Sequence, residues 1–446
     1  MENQDSGGSH FVRTFANSLA FKIIVIVGLI FFLLIPSAFI GSLIEERQEV
    51  KDAAFTEVSS NWGGKQNIGG PVLYIPYVKT IKDTNGKINT YEDIVKILPL
   101  NLSIDGKVDS ELRNRGIYKF TLYTTHNKVT GKFDLSHIPD IDTNNTRLKW
   151  NEAYVLFGIS DMKGIKDNIR LKWNDMQTQF SAGLISADVF DAGVSSSVNV
   201  IPFEINNFEI DLTLNGSESL TFLPLGKETN VNITSNWGDP SFTGNFLPEE
   251  RKITDTSFEA SWKVLDLNRN YQQSWIRKNN KVEIASSAFG LNFFVPLNGY
   301  TEVMRAVKYV LMFIGLTFII FFFVEYLGKK RIHPIQYTLV GFSLVVFYLL
   351  LLSISEHLQF NLAYLISSAS IILLIGLYSL SVLKSKKFAF FISLALTALY
   401  GFLYILLLNE DYSLLIGSIG IFVVLAVIMY FLRNINWYKA NRLQQA

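Results

Sequence analysis

Side chains suited to catalysis are few in this sequence. His126 and His137 are the only histidines in the long polar stretch between the first apolar run and the second. A Ser-His-Asp arrangement would need one of them, but no Gly-x-Ser-x-Gly segment supplies an exposed nucleophile. Asp239 with Glu249 and Glu250 could form an acid–base pair, but nothing in the sequence distinguishes these carboxylates from solvated loop charges. We therefore expect no catalytic residue and a protein that is not an enzyme.

Metal and cofactor chemistry is equally unsupported by the sequence. The chain of 446 residues contains no cysteine, which removes disulfides, thiolate metal sites and cysteine nucleophiles together. No His-Glu-x-x-His segment and no Walker-type glycine loop occurs, so we expect neither a metal ion nor a cofactor. The net charge of +1 gives no reason to expect a nucleic-acid partner.

The elements that would position any functional residue are mostly apolar helices. An apolar run at 23–44 follows Lys22 and is long enough to cross the roughly 30 Å hydrocarbon core of a bilayer, which needs about 20 residues. A cleaved signal peptide would have a shorter apolar region of about 7–15 residues and a small-residue cleavage site. We expect an uncleaved anchor, preceded by a tail at 1–22. Five further spans are predicted in the C-terminal part, 306–432, at 306–327, 335–354, 359–382, 388–408 and 412–432.

The polar breaks between these spans alternate in charge. Three of them, at 329–331, 384–387 and 433–442, carry nine Lys and Arg residues, whereas the breaks at 355–357 and 409–411 carry none. Loops on the cytoplasmic side of a membrane collect Lys and Arg. We therefore predict a multi-pass protein of the cytoplasmic membrane in contact with the lipid bilayer. Both termini, including the tail at 433–446, would be cytoplasmic, and the domain at 45–303 would be periplasmic.

In the predicted outer domain, apolar and polar residues alternate with the period of two that is typical of β-strands. Phe208, Ile210, Leu212 and Leu214 alternate with polar residues and precede Asn215-Gly216, which predicts a strand followed by a turn. Further strands are predicted at 72–75, 95–98, 118–124, 220–223, 231–234, 258–264 and 282–284. Only 45–58 has a helical pattern, as a continuation of the first span. The expected fold is a six-helix membrane bundle with a large all-β, antiparallel, sandwich-like domain of one or two subdomains.

Charged residues on the predicted outer side of the membrane form one candidate site. We hypothesise a polar collar that docks the outer domain on the bundle, because opposite charges interact more strongly near a low dielectric than in water. The alternative is that these charges at helix ends lie in water. The collar would consist of Arg305, Lys308, Glu356, His357, Glu410 and Asp411.

Three further sets of residues invite functional interpretations. Trp62, Tyr74 and Tyr77 lie among Gly and Pro residues and could form a recognition surface, although an aromatic core is the alternative interpretation. Glu325 is spaced four residues from Lys329, which predicts an ion pair at a helix end. Ser367, Ser368 and Ser370 are polar residues at membrane depth, where serines more often let helices approach closely than bind a substrate.

Several short segments carry a family resemblance. Those before the five C-terminal spans lie at 43–47, 61–66, 70–77, 115–118, 241–244 and 246–248, and those within or beside these spans lie at 333–337, 355–357, 363–365, 410–412 and 437–438. The most characteristic are Asn61-Trp62-Gly63-Gly64-Lys65-Gln66 and His333-Pro334-Ile335-Gln336-Tyr337. In this order they resemble the CreD family of bacterial inner-membrane proteins. The resemblance implies a role in cell-envelope integrity, tolerance to colicin and control by a two-component system, with no established reaction, cofactor or ligand.

These observations predict a non-enzymatic protein that supports the cell envelope. Its β domain would contact another, unidentified envelope component, and its spans would position that domain. A transporter or channel is one alternative, although ionisable residues in the middle of the spans would then be expected. A membrane sensor is a further alternative, but the short inner loops leave little chain for signalling.

Overall fold

The computed structural model describes residues 19–82, 88–138, 146–276, 281–293, 299–328, 330–409 and 412–433. The chain forms two compact units, one from residues 1–51 and 297–446 and the other from residues 52–296. The described helices are α1 (Leu19–Trp62), α2 (Lys281–Ser286), α3 (Tyr300–Lys308), α4 (Val310–Gly328), α5 (Pro334–Ser355), α6 (Phe360–Leu383), α7 (Lys386–Leu408) and α8 (Ser413–Leu432).

The first unit is helical and resembles a membrane protein in composition. Within the described residues, five helices are long and apolar enough to cross a membrane, namely α1, α4, α5, α6 and α7. A shorter apolar stretch, Ser413–Val427, lies within α8. α4 to α8 begin and end within a few residues of predicted spans, because the required apolar length sets their extent, whereas α1 continues 18 residues beyond the end of its predicted span at 44.

The predicted span at 306–327 is interrupted near its start. α3 ends at Lys308, and α4 begins at Val310. The amide of Tyr309 donates to the carbonyl of Ala306 over 3.1 Å, a bond to the third preceding residue that tightens the chain at this point. α3 carries charges and buries one face through Tyr300, Val303 and Ala306, so it is amphipathic, whereas α4 is apolar.

α1 is a single helix of 44 residues, and the predicted helical continuation at 45–58 is confirmed. At about 1.5 Å per residue it is roughly 66 Å long, about twice the thickness of the hydrocarbon core. Ile26, Leu33, Ile40 and Ile44 are buried on one face of its first part. Phe32 packs edge-on against Phe342 of α5, with 6.3 Å between ring centroids. The first part of α1 is therefore packed within the bundle.

The second unit contains two β-sheets. The strands are β1 (Gln66–Lys82), β2 (Ile88–Ile97), β3 (Asn101–Arg115), β4 (Tyr118–Asp134), β5 (Thr146–Leu148), β6 (Tyr154–Ile159), β7 (Arg170–Trp173), β8 (Met176–Gln179), β9 (Ser181–Ala182), β10 (Gly193–Ser197), β11 (Ile205–Ser217), β12 (Ser219–Phe222), β13 (Glu228–Ser235), β14 (Pro240–Gly244), β15 (Glu250–Ile253), β16 (Phe258–Leu265), β17 (Ser274–Ile276) and β18 (Phe289–Phe293).

The sheets have 10 and 8 strands in the described part of the chain. The first has the order β14-β18-β12-β1-β6-β10-β9, with β2 and β5 also paired to β1 and β17 paired to β2. The second has the order β15-β16-β13-β3-β4-β11-β7-β8.

Most strand pairs are antiparallel, as predicted, but β1 with β12 and β3 with β13 are parallel. Long connections permit these parallel pairs, which join strands far apart in the chain. One hydrophobic core contains residues of both sheets, including Tyr74, Tyr123 and Trp262.

Two local predictions in this unit are wrong. Residues 282–284 belong to α2 and not to a strand. The strand predicted at 208–214 continues through Asn215-Gly216 to Ser217, and the left-handed residue is Glu218, with φ 59°. A Cβ atom on Gly216 would lie 2.4 Å from the ring of Tyr123. Gly216 is therefore needed for close packing within the sheet and not for a turn.

Candidate functional site

Glu356, at the C-terminal end of α5, is the centre of one polar cluster. The hydroxyl of Tyr300 in α3 donates to its Oε1 over 2.9 Å. Nε of Arg47 in α1 lies 3.9 Å from the same oxygen. The Glu356 side chain is only 13% exposed, so these partners compensate for much of its lost hydration. The Glu356 cluster therefore connects three separate helices of the bundle.

The structure describes only four of the six residues of the predicted collar. Glu356 is paired, but the cation placed beside it is Arg47, which the sequence analysis did not single out. Arg305 is partly buried, whereas Lys308 and His357 are exposed. Glu410 and Asp411 lie outside the described residues, so the docking role of the collar stays a prediction. Arg47 lies three residues after the end of the predicted first span, and this position near the membrane surface is the feature of the sequence that could have identified it as a partner of Glu356.

Glu325, near the end of α4, is the centre of a second cluster. Both of its carboxylate oxygens accept hydrogen bonds: Lys22 of α1 and the amide of Ile332 (3.1 Å) donate to Oε1, and the hydroxyl of Tyr337 (3.0 Å) donates to Oε2. Lys22 also donates to the carbonyl of Ile332 over 3.1 Å. Lys329, the predicted partner, lies outside the described residues. No local spacing could have identified Lys22, which is 303 positions away from Glu325.

Together the Glu325 and Glu356 clusters hold α1 in the bundle at two positions along its length. Lys22 and Arg47 are 25 residues apart on this helix. That separation corresponds to roughly 38 Å, slightly more than the hydrocarbon thickness of about 30 Å. The clusters therefore have the spacing expected of polar contacts near opposite surfaces of a bilayer. Between them, Ser37 is buried and its hydroxyl bonds the carbonyl of Leu33 over 2.8 Å.

The β domain contains a cluster around Asp188. Tyr74 of β1 is the register partner of both Lys96 in β2 and Tyr154 in β6, so the three side chains share one face of the 10-stranded sheet. Lys96 pairs with Asp188 Oδ2. The hydroxyls of Tyr74 (2.8 Å) and Ser186 (2.7 Å) donate to Oδ1. The loop that carries Asp188 is thereby fastened to the sheet.

The surroundings of Asp188 favour its charged form and the neutral forms of the two nearby tyrosines. Burial alone would raise the pKa of Asp188, but hydrogen bonds from Lys96, Ser186 and Tyr74 outweigh it and hold the pKa below its ordinary value. Burial first, and then the charge of Asp188, raises the pKa of Tyr74. Burial and the same charge raise the pKa of Tyr154 to about 12. Both tyrosines therefore remain neutral near pH 7, and Tyr74 keeps the proton that it donates to Asp188.

The proposed recognition surface of Trp62, Tyr74 and Tyr77 is not supported. Tyr74 and Tyr77 are buried in the core, which is the alternative that the sequence left open. Tyr74 stacks on Tyr154, with ring centroids 5.1 Å apart. Trp62 is partly exposed, and its indole donates to the carbonyl of Tyr123 over 3.2 Å. The correction has a physical reason: the consecutive residues Leu73, Tyr74 and Ile75 point to alternate faces of the sheet and are all fully buried, so both faces of β1 are covered.

The residues that were considered for catalysis or metal binding do not form a common site in the described part of the chain. His126 lies on the exposed face of the 8-stranded sheet, where its Nδ1 lies 3.2 Å from the hydroxyl of Thr213. His137 is exposed, and Asp239, Glu249 and Glu250 are also at the surface. Over the residues that the structure describes, no group of three or more His, Asp or Glu side chains could hold a metal ion.

The serines of α6 differ in their surroundings. Ser370 is exposed and bonds the carbonyl of Ile366 over 2.7 Å, and Ser368 bonds that of Leu365 over 3.1 Å. Ser367 is fully buried, and its hydroxyl has no hydrogen-bond partner among the described protein groups. The hydroxyls of Tyr348 and Tyr400 share that property. The bundle thus buries a few hydroxyl groups whose bonding capacity is unused in the described part.

Comparison with known proteins agrees with the membrane character of the helical unit. The family model described as "Inner membrane protein CreD" matches residues 18–438. Inner membrane protein CreD of Escherichia coli (strain K12) is 31% identical over 434 residues, covering 94% of this chain and 94% of that protein. The match includes the apolar helices and the whole β domain.

Proposed function

Because the chain belongs to the CreD family of inner membrane proteins, we propose that it supports cell-envelope integrity through a β domain on the periplasmic side of the membrane. In this proposal six helices cross the membrane, both termini are cytoplasmic, and the two sheets of the β domain form a sandwich. The domain contacts another envelope component, and the protein has no enzymatic activity.

The observation that supports this proposal most strongly is the division of the chain into two different units. Residues 52–296 form a β domain with its own core, inserted in sequence between α1 and the other apolar helices. Three basic loops on one predicted side of the membrane and two loops without Lys or Arg on the other agree with an exported domain.

The role assigned to the bundle is to hold the β domain at the membrane. Each end of the membrane part of α1 is fixed by a buried or partly buried carboxylate, Glu325 at one end and Glu356 at the other. The sequences of the five C-terminal spans have no charged residue at mid-depth. A transport pathway normally needs such groups, so a scaffold is favoured over a transporter.

A complementation experiment tests this role. Cells that lack the protein and show an envelope defect would receive the full chain, the bundle alone, or residues 45–303 exported without the spans. We expect rescue by the full chain only. Rescue by the exported domain would contradict a role for the spans beyond anchoring, and rescue by the bundle alone would contradict a role for the β domain.

The partner can be sought with the same chain. Single cysteines placed on exposed positions such as Leu267, which is 89% exposed, would be the only thiols in the protein. We expect cross-links to an envelope component from a restricted set of positions in the β domain. Cross-linking that is equally weak from all faces of the domain would argue against a specific partner.

One observation favours the transporter alternative. Ser367, Tyr348 and Tyr400 bury hydroxyls without protein partners among the described residues, as a polar pathway would require. If the bundle transports a solute, Ser367→Ala or Tyr400→Phe should reduce uptake into proteoliposomes by at least about tenfold, whereas the scaffold proposal predicts that both variants rescue the envelope defect fully.

A further inference from the structure

A groove runs along the surface between α6 and α7. Its volume is about 1150 Å³, and its lining extends from Asn361 and Tyr404 at one end to Leu380 and Lys386 at the other. Lys386 and Tyr404 are 18 residues apart on α7. That distance is roughly 27 Å of helix, which nearly equals the hydrocarbon thickness of about 30 Å. The α6–α7 groove therefore extends over most of the depth of a bilayer.

The walls of the groove are apolar, and its floor is made of small residues. Leu365 and Leu377 are exposed along its length. A Cβ atom on Gly376 would lie 2.5 Å from Oγ of Ser393, so the two helices are in close contact there. A Cβ atom on Gly401 would meet nothing within 4 Å. The groove therefore contains open space of the length and polarity that an acyl chain requires.

Positive charge is concentrated at one end of the groove. Lys386 lines it, and Lys384 and Lys387 are exposed beside it. Lys384, the residue directly after α6, has the left-handed conformation with φ 47°, and α7 begins two residues later. Ser385 makes no side-chain hydrogen bond to the first turn of α7, so amide groups of that turn are open to an anion. Lysine ammonium groups and helix N-terminal amides are both groups that bind phosphate.

We propose that the α6–α7 groove binds an anionic phospholipid, with its phosphate at Lys386, Lys387 and the first turn of α7 and an acyl chain along the groove. The inference requires only that these helices lie in a bilayer and does not depend on the proposed role of the β domain. Basic sites between membrane helices are known to select anionic headgroups. A second copy is a poorer occupant: two copies with the same orientation, related by a twofold axis, would bring both sets of three lysines to one level, where they would repel.

Native mass spectrometry of the full chain in detergent tests this proposal. The delipidated protein would be titrated with dioleoyl phosphatidylglycerol or with dioleoyl phosphatidylethanolamine, which differ in headgroup charge and share their acyl chains. We expect phosphatidylglycerol to bind at least about tenfold more tightly. Replacing Lys386 and Lys387 by glutamine should weaken that binding about fivefold per lysine and leave phosphatidylethanolamine unaffected. The matched control replaces Lys163 and Lys166, two exposed lysines of the β domain, by glutamine and should change neither affinity.

A second pair of variants tests the acyl-chain site. Gly401→Leu should fill the groove without a clash and lower the affinity for both lipids, and Gly315→Leu, which is also in open space but outside the groove, should lower neither. Equal binding of the two lipids, or loss of binding in the control variants to the same extent, would overturn the proposal. If Gly401→Leu converts a dimer to a monomer without changing lipid binding, the groove is an interface between copies and the proposal is wrong.

Discussion

Single residues in this protein obtain their roles from partners that are remote in sequence. Glu325 has Lys22 as its cation, and Glu356 has Arg47, so the carboxylates at the centres of both clusters are paired with residues of α1. The sequence predicts that Glu325 ends a helix and needs a cation, because an isolated carboxylate is costly near hydrocarbon. The spacing of four residues points to Lys329, which lies outside the described residues, whereas the pairing with Lys22 depends on how the helices pack and no local pattern reports it. Tyr74 is a similar case: its aromatic nature is evident, but its burial beside Asp188 depends on the order of the strands.

The Lys22–Glu325 pair leads to a prediction about stability. Glu325→Leu should lower the free energy of unfolding by about 2 to 3 kcal/mol, because it leaves the Lys22 ammonium partly buried without a carboxylate. The double variant Lys22→Met with Glu325→Leu should regain most of this loss. Circular dichroism during titration with a denaturing detergent would measure both values. A control at the exposed Lys330 should have little effect, and strict additivity of the two single changes would show that the pair is not coupled.

Asp188 leads to a prediction about pH. Its pKa is lower in the folded protein than the value of about 3.9 expected when unfolded, so its contribution to stability is complete above about pH 4 and is lost as the pH falls through the folded pKa. Asp188→Asn should destabilise the β domain by about 2 kcal/mol at pH 7 and flatten its acid dependence below pH 4. Urea unfolding followed by tryptophan fluorescence would measure this. Asp239→Asn, at an exposed carboxylate, is the control. An unchanged acid limb in Asp188→Asn would refute the assignment.

At the scale of helices and strands, the elements in the membrane part are the ones that the sequence predicts best. The ends of α4 to α8 follow from hydrophobic length, and the structure places them within a few residues of the predictions, whereas α1 continues past its predicted span through the polar residues that follow. The break between α3 and α4 was missed because charged residues of an amphipathic helix run directly into an apolar one. In the β domain, the apolar–polar pattern located seven of the 18 described strands, namely β1, β2, β4, β11, β12, β13 and β16, and it mistook α2 for a strand and Gly216 for part of a turn. Short segments carry too little periodicity to separate these cases.

The packing of α1 on α5 gives a prediction at this scale. A Cβ atom on Gly341 would lie 2.1 Å from Cδ1 of Leu33, which is fully buried and has no free space to occupy. Gly341→Val should therefore separate the helices and lower the free energy of unfolding by about 1 to 3 kcal/mol. Combining it with Leu33→Ala should restore part of the stability. Gly315→Val, at a helix position with open space, provides the comparison, and equal effects of the two glycine variants would contradict the proposed contact.

At the scale of the whole molecule, the sequence gives the division into an apolar part and a β-rich part. It does not give the arrangement of the two sheets. The parallel pairs β1–β12 and β3–β13 join strands separated by more than a hundred residues, and no local pattern reports such a pairing. The 10-stranded and 8-stranded sheets share one core in the described residues, which favours a single domain over two independent subdomains.

The central claim is that the basic loops stay in the cytoplasm while the β domain is exported. The most direct measurement labels single cysteines in intact cells that have a permeabilised outer membrane, using a maleimide that does not cross the inner membrane. Leu267 lies in a one-turn 3₁₀ helix of the β domain and Lys387 lies in the first turn of α7, within the basic segment 384–387, and both side chains are exposed. We predict labelling of Leu267→Cys in intact cells and of Lys387→Cys only after the inner membrane is disrupted. Labelling of Lys387→Cys in intact cells, with protection of Leu267→Cys, would contradict the proposed orientation and the periplasmic role of the β domain.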